Sequence, residues 1–390
     1  MAVQTENGQS SVREATAAIS RCDVRPWKDL GEEDRENYSR WLRGRSGLRS
    51  PFLSLGFFDA VHTVRSDLSV LVAGNGSAQS RAILPVHLKN RIATPAGRAF
   101  NDAQAIMYAS GDSIDARRMM RLGKVKGYEF HALLSDHPIA PHEHLTVQRR
   151  VESFAAHWGN HSSKYLDQLE REHRTIKKQE QKSRQMTREL GPLSLEIDCR
   201  DPGLLSQAID AKRAQYRRTH ILDHFKPTWT RSLVRYLHEY TAENRDDLGR
   251  CETRGLLSVL RAGQTVVAMH FGIVESGLLH YWFPVYNHEF SKYSPGTALY
   301  KAIVGAASEH GIDTLDMGYG EQPYKRKQTD RVTHVYQGFT SCCIFHRTRR
   351  KIAMAATVAR ERFLADSPLR EILKRGLRRI FPNEGIGKLR

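Results

Sequence analysis

The sequence predicts an α/β (α+β) protein made of two consecutive units. Three observations carry that reading. Residues 50 to 150 alternate strand-like segments with helical spacing, and residues 191 to 345 do so again. Between them, Asn160 to Leu190 has no glycine or proline and reads as one long helix stopping at Gly191-Pro192. A chain of 390 residues with 40% hydrophobic residues is long enough for more than one core.

The elements follow in order. The opening MAVQTENGQSSVREATAAIS is polar and lacks a signal core, so residues 1–25 are expected to be a disordered leader of a cytoplasmic protein. RSGLRSPFLSLGFFDA leads from a loop into a short helix. Ser69 to Ala73 and Ser80 to His87 read as strands around the turn signal GNGS. GRAFNDAQAIMYAS is a loop and strand, Ser113 to Leu122 a helix and GYEFHALL a strand, within a first domain over 26–160. Residues 161–190 form the connecting helix. With 8 Lys/Arg against 5 Asp/Glu from Asn160 to Leu190, its interspersed acids oppose phosphate binding and favour a solvated connector. A second domain over 191–345 opens at PLSLEIDC. It continues with helices Leu204 to Thr219 and Trp229 to Asn244, then strands Leu256 to Arg261, Thr265 to Val274 and Leu278 to Tyr286. A helix from Pro295 to His310 and the strand IDTLDMG follow, and residues 346–390 form a basic helical tail.

Composition excludes several classes. No apolar run reaches the roughly 18 residues of a membrane span. The five cysteines are scattered, with no C-x-x-C pair, which argues against a disulfide framework or a metal site. The net charge is +17, and His346 to Arg390 holds 13 Lys/Arg against 4 Asp/Glu. In the tail, PLREILKRGLRRIF sets Leu369, Leu373, Leu377 and Ile380 or Phe381 at helical spacing among cations, which suits either peripheral contact with an anionic membrane or docking on the protein's own core.

One stretch carries chemistry. Ser294-Pro295-Gly296-Thr297 follows an aromatic strand and opens a helix. Helix N-termini present unpaired N–H groups and partial positive charge, so they hold phosphates. Pro295 fits the first turn without wasting a donor, Gly296 lets an anion approach the backbone, and Ser294 either caps the helix or bonds a phosphate oxygen.

The stretch VVAMHFGIVESGLLHYWFPVYNHEFSKYSPGTALYKAIVGAASEHGIDTLDMGYGEQPYK closely resembles the CelD/BcsL-like branch of the GNAT acyltransferases, associated with cellulose and other exopolysaccharide biosynthesis. KRAQYRRTHILDHF resembles that family's K-x-x-Q-Y-x-R-T-G-x-x-D pattern, with His220 in place of glycine. SPFLSLGFFDA and FNDAQAIM resemble its N-terminal segments, the latter with Ala103 and Ala105 for Tyr and Gly. The resemblance spans roughly residues 27 to 345. It implies two tandem GNAT-like domains, each a mixed central sheet flanked by helices, as in the related FemAB-type transferases. It implies acetyl-CoA or a longer acyl-CoA as co-substrate, bound through Tyr293, Ser294, Pro295, Gly296, Thr297 and Lys325. It also implies acyl transfer to an amine or hydroxyl of a small-molecule or saccharide acceptor, in polysaccharide or cell-envelope biosynthesis.

Such a transfer needs a base for the acceptor and a donor for the leaving thiolate. If Val274 pairs with Leu278, then His270, His280 and Trp282 share one sheet face. His270 is then the candidate base or a structural histidine, and His280 and Trp282 line the acceptor site. Asp316 ends the next strand, where the resemblance implies a splay that opens the acyl cleft; it orients a histidine, binds the acceptor or satisfies local amides. Tyr324 is the candidate acid by resemblance. Lys212, Gln215 and Tyr216 share a helix face and line the acceptor cleft, unless Tyr216 is core. Asp102 and Gln104 reach it from the first half on the resemblance alone. Two other readings stand beside this one. A FemAB-type transferase using aminoacyl-tRNA suits the positive charge but not the Ser-Pro-Gly turn. A non-catalytic nucleic-acid-binding or scaffold protein would use the basic segments, but no recognised nucleic-acid motif is present, and no specific nucleic-acid partner is expected.

Overall fold

In chain order the strands are β1 (Ala15–Thr16), β2 (Arg21–Pro26), β3 (Leu68–Gly74), β4 (Ser80–Lys89), β5 (Ile92–Pro95), β6 (Met107–Tyr108), β7 (Asp112–Ser113) and β8 (Gly127–Leu133). Then come β9 (Thr146–His157), β10 (Leu193–Ile197), β11 (Arg254–Ala262), β12 (Thr265–Glu275), β13 (Leu278–Tyr286), β14 (Thr314–Tyr319) and β15 (Arg331–Ser341). The helices are α1 (Glu32–Arg43), α2 (Leu55–Val64), α3 (Ala116–Leu122), α4 (Ser162–Glu172), α5 (Arg174–Leu190), α6 (Pro202–Thr219), α7 (Thr228–Glu239), α8 (Pro295–Ala306), α9 (Pro323–Gln328) and α10 (Ile344–Asp366). The computed structural model describes residues 15–16, 19–76, 79–239, 253–320 and 322–366, so the tail stripe from Leu369 onward lies outside the described residues.

The α/β class is as predicted, but the two units are not separate sheets. One mixed sheet runs β10-β11-β12-β13-β14-β9-β15-β8-β5-β4-β3-β2, with β6 on β4. The units exchange strands at their junction. β9, from the first half of the chain, pairs antiparallel with β14, and β15, from the second, pairs antiparallel with β8. β9 and β15 lie side by side from Arg331↔Ala155 to Phe339↔Thr146. The predicted boundary at 160 therefore cuts through a continuous sheet. Neither long strand stood out in the sequence, because β9 reads TVQRRVESFAAH and β15 RVTHVYQGFTS, too polar for a clear alternating pattern.

The leader reading also changes. Ala15–Thr16 pairs with Asp112–Ser113, and β2 forms the sheet edge on β3, with Ile19 and Cys22 buried. The expected single helix over 160–190 is two, broken at His173 (φ −126°, ψ 100°). The break lets both helices bury a face. Tyr165 and Leu169 of α4 and Ile176 and Met186 of α5 enter the core under α8, so the segment is a layer of the second unit and not a solvated connector. On the opposite face, α2, α6 and α7 cover β11 to β13 with a core that includes Phe52, Phe57, Phe271 and Phe283.

Candidate active site

The sheet opens where β13 meets β14. The two pair in parallel over three residues only, Leu278↔Thr314, Leu279↔Leu315 and His280↔Asp316. Both strands are irregular just beyond. In β13, Tyr281 and Trp282 together oppose the single Gly272, since Phe271 pairs with Phe283 and Ile273 with His280. In β14 the register on β9 shifts between Asp316 and Gly318. Gly318 sits at φ +66°, and a Cβ there would lie 3.0 Å from His280 Cε1, so both its backbone and its close contact call for glycine. The strands therefore diverge at the level of His280 and Asp316.

Three titratable groups meet at that point. His280 Nδ1 lies 2.9 Å from Asp316 Oδ2, and its Nε2 lies 3.4 Å from Asp102 Oδ2, contributed by the first half of the chain. Asp316 Oδ1 accepts the Gly318 N–H at 2.7 Å, which fixes its second oxygen on the imidazole. The Phe52 ring stands edge-on to the imidazole at 4.7 Å and leaves His280 1% exposed. Burial opposes a charge on His280, but the Asp316 carboxylate, followed by Asp102, outweighs it and raises the pKa to about 9. At neutral pH the site is an imidazolium between two carboxylates. The carboxylate side chains remain about one-fifth accessible (21% and 19%), so this cluster borders solvent.

Tyr216 of α6 and Tyr319 of β14 lie close enough to Asp102 for its charge, after burial, to help raise their hydroxyl pKa values. Lys212 Nζ stands 5.4 Å from the Tyr216 ring centroid. Trp282 packs on Phe52 at 5.4 Å and Phe100 at 4.9 Å. Lys212, Tyr216, His280, Trp282 and Asp102 thus gather near one cleft.

The other element is the start of α8. Ser294 has φ +53° and caps nothing with its side chain; its Oγ accepts from Lys182 Nζ of α5 at 2.7 Å. Thr297 turns its N–H onto the Ser294 carbonyl at 3.0 Å. A Cβ on Gly296 would meet only Tyr286 Cδ1, at 3.8 Å, and its φ is not positive. Neither backbone nor packing asks for glycine there. The ammonium of Lys182 adds to the positive end of the helix, a placement that favours an anion.

Residues 171–326 match the family model described as acetyltransferase (GNAT) domain. The chain carries a GNAT-type acetyltransferase domain. It is an acyltransferase. No curated protein matches the sequence. Among solved structures, that of FemX is similar over 82% of this chain and 98% of its own, at 8% identity and TM-score 0.52. The C-terminal domain of a protein from Agrobacterium fabrum named as a lysylphosphatidylglycerol synthetase aligns over 83% and 96%, at 14% identity and TM-score 0.48. A tandem GNAT protein from the clavulanic acid biosynthesis pathway aligns over 82% and 98%, at 12% identity and TM-score 0.44.

Several sequence expectations for the GNAT domain need correction. His270 does not share a face with His280 and Trp282. It pairs with Pro284, and His280 pairs with Ile273, because the hairpin sets Leu278 on Glu275 and not on Val274 as expected; the β13 bulge adds a second shift. The His270 ring stacks on that of Tyr281 at 4.0 Å, a residue of the core under α8. Both His270 nitrogens are buried without a hydrogen-bond partner among the described residues. Burial, then the charges of His280 and Lys212, push its pKa well below the usual range. It lies on the α8 side of the sheet, away from the cleft.

Gln104 is buried and engaged by backbone: its Oε1 accepts from His131 and Ala132 (3.1 and 2.7 Å), and its Nε2 donates to the Asn101 carbonyl (2.9 Å). It braces β8 rather than facing the cleft. Lys325 is 4% exposed and donates to the Gly318 and Tyr319 carbonyls, both at 3.0 Å, so it ties α9 to the end of β14 instead of facing a phosphate. Tyr293 is core, with its hydroxyl on Glu189, and Pro295 is also buried. Gln215 lines a groove of about 400 Å³ between α6 and the ends of β12 and β13, together with Arg218, Tyr286 and His288. Tyr324 is 42% exposed, and burial of its hydroxyl raises its pKa to about 12, so it is protonated at neutral pH. Lys182 was missed, because a lysine in a charged helix carries no signal until the fold sets it on Ser294. Among the described residues no group of His, Cys, Asp and Glu could hold a metal ion, and no helix is long and apolar enough to cross a membrane.

Proposed function

We propose that the GNAT domain transfers an acyl group from acetyl-CoA or a longer acyl-CoA to an amine or hydroxyl acceptor, a small molecule or saccharide of polysaccharide or cell-envelope metabolism, by direct attack in a ternary complex. The observation that carries this reading is the parting of β13 and β14 at the Asp102–His280–Asp316 cluster. The donor end fits the residues present: Gly296, whose missing side chain the protein itself does not need, and Lys182 on Ser294 would hold the pyrophosphate. The acceptor class and the polysaccharide setting rest on the likeness to the CelD/BcsL branch.

In the reaction the acceptor's N or O bonds the acyl carbon, the C–S bond breaks, and the acceptor gives up one proton. His280 is the base we assign. It takes that proton when neutral, and the two carboxylates then stabilise the imidazolium. Because its resting pKa is about 9, turnover should rise with pH up to that value. Asp102 and Asp316 also give the cluster a net negative charge while His280 is protonated, which draws an ammonium acceptor. Before attack both the ammonium and His280 lose a proton to solvent, and the amine then gives a further proton to His280 as the C–N bond forms. Tyr324, protonated at neutral pH, returns a proton to the leaving sulfur.

A thermal-shift series with acetyl-CoA, longer acyl-CoAs, free CoA and bulk tRNA tests the reading, since a ligand bound only by the folded form raises the melting temperature. A shift with acyl-CoA is expected. A shift with tRNA and none with any CoA would replace the proposal with an aminoacyl-tRNA-dependent transfer.

A further inference from the structure

After β15 the chain enters α10, whose inward side is anchored. His346 is 5% exposed and bonds Glu129 of β8 at 2.9 Å, and Arg350 approaches the same carboxylate at 3.6 Å. The outward side has the opposite character to that of a solvated helix. Phe345 is 84% exposed, Ile352 64% and Ile344 62%. At 100° per residue, Phe345 and Ile352 fall on one stripe with Ala355, Ala356 and Ala359, all exposed. Arg349 borders that stripe on one side and Lys351 on the other. No acidic residue occurs between Asp330 and Glu361.

We propose that α10 is an interfacial helix that rests on an anionic lipid bilayer, with Phe345 and Ile352 in the boundary of the acyl chains and the flanking cations at the headgroups. A water-facing stripe with two large apolar side chains is costly unless covered. An apolar stripe bordered on both sides by Arg and Lys is the pattern of a helix lying in a membrane interface, where the aliphatic stems extend the apolar surface and the charged ends meet phosphates. A second copy of the chain is the poorer partner. It would bring the same cations against these, and the nearby carboxylate, Glu129, is already shared by His346, Arg350 and Arg349.

The test uses full-length protein and the double variant Phe345→Glu/Ile352→Glu. Both are mixed with vesicles of phosphatidylglycerol and phosphatidylcholine, or of phosphatidylcholine alone, at low and high salt, and sedimented. The wild type is expected to bind the anionic vesicles, more weakly at high salt, and the variant's partition coefficient is expected to fall at least about tenfold. Both positions are exposed, so the variant should melt with the wild type. If it does not, Phe345→Ser/Ile352→Ser takes its place, with the same expected loss. Equal binding by variant and wild type would assign any lipid contact to another segment and overturn the proposal. So would binding indifferent to lipid charge, or a wild-type dimer that ignores vesicles and that the variant dissociates.

Discussion

Replacing Asp316 with asparagine removes the carboxylate that contributes most to holding the proton on His280. In the folded wild type that proton dissociates near pH 9, against 6.5 for an ordinary histidine. A folded-state pKa raised in this way adds stability that is fully present below pH 6.5 and is lost as pH rises through 9. The total is about 3 kcal/mol, falling by about 1.4 kcal/mol per pH unit across that window. Without Asp316, burial is opposed only by Asp102 at 3.4 Å, and His280 should be neutral at pH 7. Urea unfolding of both proteins from pH 6.5 to 9.5 reads this directly, because groups common to both cancel in the difference. The stability gap should be largest at pH 6.5 and narrow by about 3 kcal/mol toward pH 9.5. The rate carries the same signature. Wild-type kcat/KM should climb to a plateau near pH 9, and the variant's weaker activity should level off at a lower pH. A stability gap independent of pH, with unshifted rate profiles, would refute the idea that His280 is a charged residue held by Asp316.

Four further outcomes are expected. Gly296→Val should leave the melting temperature close to wild type, since only Tyr286 lies near, and should weaken CoA binding at least about tenfold by filling the approach to the helix end. Lys182→Met should raise the CoA dissociation constant by about three- to tenfold and flatten its salt dependence, both measurable by calorimetry. His270→Gln should change kcat by less than about threefold; a loss of 10²–10⁴-fold, the usual worth of a general base, would restore that role to it. Tyr324→Phe should lower kcat with little change in KM for acyl-CoA, and an unchanged kcat would remove it as the acid.

Most of the second unit was legible from sequence. β13 begins and ends where the alternating aromatic run does, and α8 starts at the expected proline. Hydrophobic periodicity and Gly or Pro punctuation are local, and those elements are local as well. Of the residues expected at the site, the structure brings Asp102, His280 and Asp316 together and sets His270 on the other face of the sheet. An even two-residue alternation from a Val274–Leu278 pairing put His270 on the face of His280, but the hairpin pairs Glu275 with Leu278 around a two-residue turn at Ser276–Gly277, and that one-residue shift sends the two histidines to opposite faces. A turn of two residues and one of three read alike in a Glu-Ser-Gly stretch, so spacing alone left the register one residue off.

By itself, then, the sequence determined the class of fold, the strand–turn–helix that presents Gly296, and the kinds of side chain available for proton transfer. Tertiary structure alone decided which of them meet. Asp102 and His280 lie in different halves of the chain and come to 3.4 Å because β9 and β15 cross between the halves and join them into one sheet. Charge on a buried imidazole depends on what lies within a few ångströms, not on its neighbours in sequence. His280 is therefore charged and His270 neutral, although ten residues of the same hairpin separate them.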